Sequence, residues 1–234
     1  MPNRIIYILL FSFAFISCNL TSPEEYYSKA FKYEERGNYE KAIDMLDEAI
    51  KKKNQFRAAL LNRGYYKTEI GDIHGAIDDY SDLLQFDSNN TAALYNIANN
   101  YSVLKEHNNA ILYYSKAINT EGAIKKWTVS NGGLVMINPT KYFDGSDKDL
   151  YYYVPKYEIL YERGIEYLNS DLYDNAISDF KKSLDANYEK KNCYFLLGKA
   201  YIGKKDSLNA CSNFIMSAKL GDKEAREMLK KHCL

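Results

Sequence analysis

The side chains with chemical potential in this chain are three histidines, four cysteines and scattered acidic pairs. General acid–base or nucleophilic catalysis needs a histidine beside a nucleophile or a carboxylate. His74 and His107 fall in polar turn sequence and His232 close to the last residue, so none is expected to share a face with such a partner. Asp44, Asp47, Asp78 and Asp79 alternate with apolar neighbours, the pattern of a solvated helix face. No glycine-rich phosphate loop is present, and no CxxC or Cys/His spacing suits zinc. The expectation is a chain with no catalytic residues, no cofactor, no metal and no small-molecule substrate. Nucleic acid is also disfavoured as a partner, because 31 basic residues are balanced by 31 acidic ones and such binding requires a basic face.

The elements that position these residues repeat. Ala42, Ala76 and Ala110 stand 34 apart, as do Ala176 and Ala210. Upstream of each lies a small residue (Ala30, Gly64, Ala98, Gly164, Gly198), and downstream a large one (Leu46, Tyr80, Tyr114, Phe180, Phe214). Within each unit apolar residues recur at three- and four-residue steps, one face of an α-helix. Turn sequence such as Gly37-Asn38, Gly71-Asp72, Ser170-Asp171 and Lys205-Asp206 divides the unit into two helices. The small residue lets the helices approach and the large one fills the gap.

This pattern of small, aromatic and alanine positions resembles the tetratricopeptide repeat. The resemblance implies an all-α fold, an α-solenoid of about five helical hairpins, with repeats one to three over residues 23–122 and four and five over 157–221. It also implies a non-catalytic protein–protein interaction scaffold that binds a polypeptide segment in its concave groove. The first helix of each repeat would line that groove, through Tyr27, Phe31, Leu61, Tyr65, Tyr95, Asn99, Tyr161, Phe195 and Lys199. The basic pairs with which some such arrays grip a chaperone carboxylate are missing: Tyr27 and Phe31, then Ala92 and Asn96, occupy those positions.

Residues 222–234 resemble the capping helix that closes many such arrays, with Ala225, Met228 and Leu229 as its apolar face. If that helix folds back after Gly221, Cys211 and Cys233 become neighbours and form a disulfide, leaving Cys193 as a free thiol.

The rhythm breaks once. Ala110 and Ala176 are 66 apart rather than two full periods. Residues 123–156 form an insertion, in which residues 127–130 and 134–137 flank Asn131-Gly132-Gly133 as a β-hairpin. A lone hairpin is marginal in water, so it and Trp127 are expected to cover the joint between two sub-arrays. The alternative function follows from the same segment: a structural cell-envelope scaffold whose groove is self-occupied by the hairpin.

At the N-terminus, Arg4 precedes an apolar run over residues 5–16, too short to span a bilayer but suited to a signal peptide. Phe15-Ile16-Ser17-Cys18 resembles a bacterial lipobox. That resemblance implies a signal peptide over residues 1–17, lipidation of Cys18, a tether over 18–22, and a membrane anchor. The expected location is the bacterial cell envelope, at the outer membrane and facing the periplasm.

Overall fold

The computed structural model describes residues 21–124 and 153–233, and among them there are twelve helices and no strand. They are α1 (Pro23–Glu34), α2 (Tyr39–Lys52), α3 (Arg57–Glu69), α4 (Ile73–Phe86), α5 (Thr91–Val103), α6 (His107–Ala117), the single turn α7 (Glu121–Ile124), α8 (Lys156–Asn169), α9 (Tyr173–Asp185), α10 (Lys190–Gly203), α11 (Ser207–Lys219) and α12 (Lys223–His232). The β-hairpin expected over 127–137, Trp127, the apolar run over 5–16 and Cys18 lie outside the described residues.

Six of the helices begin where a short polar side chain satisfies one or more of their first free amides. Ser22 accepts from the Glu25 amide ahead of Pro23, and Asn38, Asp72, Asn90, Asp206 and Asp222 do the same for α2, α4, α5, α11 and α12. Each hairpin turns through one residue of positive φ. Gly37 and Gly71 supply it in the first two pairs (φ 67° and 84°), whereas Lys105, Asp171 and Lys205 adopt it at about the same angle in the rest.

Paired helices close on the small residues foreseen from the sequence. A Cβ on Gly198 would sit 2.4 Å from a ring carbon of Phe214, and one on Gly164 2.7 Å from Phe180. Those rings, with Leu46, Tyr80 and Tyr114, are buried and form the spine of the solenoid.

Five pairs stack in order: α1/α2, α3/α4, α5/α6, α8/α9 and α10/α11. The passage from third to fourth pair is direct. Helix α8 packs on α6 as α3 packs on α2, and Val154, Ile159 and Leu160 join Ala117, Ile118 and Ala123 in one apolar cluster. The described residues therefore close this joint with ordinary repeat packing. Beyond the last pair, α12 packs on α11 through Ala225, fully buried against the cluster of Ala210 and Phe214. Cys211 and Cys233 are joined there in a disulfide with Cα atoms 5.8 Å apart.

Candidate functional site

The first helices of adjacent pairs approach each other, α3 to α5 and α8 to α10, more closely than the second helices do. At those two junctions the first helices thus lie on the inner side of the stack. The residues expected to line it do not all reach solvent. Tyr27 and Leu61 are only 2% exposed and belong to the core. Tyr27 packs against Phe31 and Phe56 and accepts a hydrogen bond from Asn62 Nδ2 at 2.8 Å. A ring buried between two repeats satisfies its hydroxyl internally, so these two positions leave the groove. Phe31, Tyr95, Asn99, Tyr161 and Phe195 are half-buried, and Tyr65 and Lys199 are exposed.

Several polar side chains that the repeat pattern did not single out meet between consecutive first helices. Tyr66 Oη donates to Glu34 at 3.0 Å, Thr68 Oγ1 to Asn100 Oδ1 at 3.2 Å, and Ser102 Oγ to Glu166 at 2.6 Å. These three pairs occupy the same register in successive junctions. In the last junction those positions are Leu168 and Ala200, packed in an apolar cluster. The ladder is therefore polar through α8 and apolar beyond it.

His107 departs from expectation. Its Nδ1 lies 2.6 Å from Glu166 Oε2, while Ser102 binds the other oxygen of the same carboxylate, which is 2% exposed. A histidine, a serine and an acid do come together, because α6 and α8 are adjacent in space. Their wiring is not that of a nucleophilic triad: the carboxylate sits in the middle, and the serine donates to it rather than to the imidazole. Asp79 is also a correction. It is buried, held by Arg63 through 2.9 and 2.6 Å hydrogen bonds and approached by Lys67 at 3.0 Å. Arg163 and Asp179 repeat the arrangement at 2.7 and 3.0 Å in the fourth pair. A buried carboxylate is tolerable only with such charged, hydrogen-bonded partners.

Helix α8 brings three glutamates, Glu158, Glu162 and Glu166, to one face by their four-residue spacing. Tyr95 Oη donates to Glu158 at 3.1 Å across the joint. Burial, reinforced by Glu158, Glu166 and Glu189, pushes the Glu162 carboxyl up to about 7. Burial raises Glu158 too, against the lowering hydrogen bond from Tyr95. The same carboxylates, after burial itself, hold the Tyr95, Tyr114 and Tyr188 hydroxyls far above the ordinary phenol range. Cys193 is a buried free thiol pushed up to about 12 by burial and then by Glu189, which makes it a poor nucleophile. Among the described residues no group of three or more histidine, cysteine or acidic side chains is placed to hold a metal ion, and no helix is long and apolar enough to cross a membrane.

Residues 91–122 and 157–190 match the tetratricopeptide repeat family, one match on each side of the joint. The chain therefore contains tetratricopeptide repeats. No curated protein matches it. Among solved structures it is similar to MamA (19% identity over 91% of this chain and 96% of that one, TM-score 0.66). It is similar also to YrrB, described as a TPR protein with an unusual peptide-binding site (15% identity, 92% and 95% coverage, TM-score 0.69). A third is the pilF protein of Pseudomonas aeruginosa (17% identity, 88% and 80% coverage, TM-score 0.61). At these identities the likeness is one of fold.

Proposed function

We propose that this protein is a non-catalytic interaction scaffold that binds a polypeptide segment along its concave face and is held at the cell envelope by a lipid on Cys18. The observation that carries the binding reading is the row of partly exposed aromatic side chains (Tyr65, Tyr95, Tyr161 and Phe195) on successive first helices. Rigid aromatic side chains with one polar end are favoured anchors for a partner. Support for a non-catalytic role is chemical: His107 is spent on a buried carboxylate and Cys193 is an inert thiol.

The groove is tested by affinity capture from native envelopes with the full chain and with a Tyr65→Ala/Tyr95→Ala/Tyr161→Ala variant. A partner retained by the parent chain and lost from the variant is expected. Equal recovery by both would sink the groove. The anchor is tested separately, by metabolic labelling with an alkyne fatty acid, which Cys18→Ser should abolish.

A further inference from the structure

We infer that the groove over α5, α8 and α10 receives a lysine or arginine side chain of the bound segment, among the rings of Tyr95, Tyr161 and Tyr188 and the carboxylates of Glu158, Glu162 and Glu189. This rests on reading the concave face as a polypeptide groove and adds the chemistry of the occupant.

The rings and carboxylates occupy one place. Tyr161 and Tyr188 stand edge to face with centroids 5.6 Å apart, and Tyr157 lies 5.1 Å from Tyr188. The Tyr188 hydroxyl feels Glu158, Glu162 and Glu189, and that of Tyr161 feels Glu162 and Glu189. Tyr95 closes the other side through its hydrogen bond to Glu158.

The fully buried carboxylates among the described residues each have a basic side chain beside them, whereas the half-buried Glu34 receives the Tyr66 hydroxyl. Asp79 has Arg63 and Lys67, Asp179 has Arg163, and Glu166 has Ser102 and His107. By contrast, Glu158 receives a tyrosine hydroxyl and Glu189 the Asn192 amide, both neutral donors. Glu162 has no hydrogen-bond or ion-pair partner among the described residues. A half-buried carboxylate without a countercharge is costly, and neighbouring tyrosine rings add attraction for a cation that enters beside it. An ammonium or guanidinium group on a flexible stem complements both features.

The test is selection of random dodecapeptides on the full chain, followed by binding measurements with the enriched peptides. Enriched peptides should share a lysine or arginine, and norleucine in its place should weaken binding about tenfold. The Glu158→Gln/Glu162→Gln variant should weaken the basic peptides by a similar factor and leave the norleucine peptides unchanged. This substitution keeps shape and removes a desolvated charge, so its thermal melt should show an intact fold. Peptides that depend on Tyr65 or Tyr95 yet lack a basic residue, or ignore the glutamine variant, overturn the inference and leave the groove standing. Failure to enrich any peptide, or indifference to every groove substitution, overturns both.

Discussion

Glu162 would titrate in the ordinary carboxylate range in the unfolded chain, but in the fold it holds its proton up to about 7. Between those two values the native state binds more protons than the unfolded one, so stability falls as pH rises. The contribution is complete below the unfolded value and is lost by the time the folded group has ionised. Glu162→Gln should therefore raise stability at pH 8 by about 1–3 kcal/mol and change little at pH 4. Urea melts at the two pH values check this; equal curves at pH 8 would show a carboxyl that is not desolvated. The buried pair behaves in the opposite sense. Arg163→Met strands Asp179 and should cost about 3–5 kcal/mol, while Arg163→Met/Asp179→Leu should recover most of that loss. Some of this was readable in advance. Glu158, Glu162 and Glu166 are four residues apart, and arginine at 63 and 163 is followed sixteen residues later by aspartate. Acid at helical spacing, however, reads equally as a solvated face, and only the position of α5 and α6 decides which face is wet.

Hairpins are the level at which the sequence speaks most clearly, since each is closed by contacts at fixed short offsets. Gly198 faces Phe214 and Gly164 faces Phe180 because a Cβ would collide with the ring. Gly198→Ala should lower stability by about 1–3 kcal/mol through overpacking. The turns offer the reverse experiment. Lys105 and Lys205 adopt the left-handed conformation (both φ 60°) that glycine supplies at 37 and 71. Lys105→Gly and Lys205→Gly should each stabilise by up to about 1 kcal/mol, read as a rise in midpoint temperature. No change would mean that the lysines gain from contacts what they lose in strain. What the hairpin pattern misjudged is the fate of two first-helix side chains. Tyr27 and Leu61 share a register with Tyr95 and Tyr161, yet they are buried by their own neighbouring helices.

On the scale of the molecule, stability passes from neighbour to neighbour, so the ends decide how the array frays. Helix α12 offers only Ala225 as a fully buried side chain, and the Cys211–Cys233 bridge ties it down across 22 residues. Cys211→Ser/Cys233→Ser should cost about 3 kcal/mol in the chain-entropy account. Hydrogen exchange should localise the loss to the amides of α12 and the end of α11; uniform loss along the array would contradict a local staple. The joint between the third and fourth pairs is the other feature at this scale. Helix α8 continues the stack on α6, so the broken alanine rhythm does not mark a break in packing.

The helical hairpins and the small residues at which they close are legible in the sequence because they depend on contacts repeated at fixed offsets along the chain, and the meeting of Cys211 and Cys233 is legible because one turn at Gly221 folds α12 back on α11. The tertiary structure alone reveals that α8 stacks directly on α6, that Ser102, His107 and Glu166 converge, and that Glu162 has no countercharge among the described residues. Those facts depend on how one repeat is rotated over the next. That rotation is a sum of many packing contacts, and no local period encodes it.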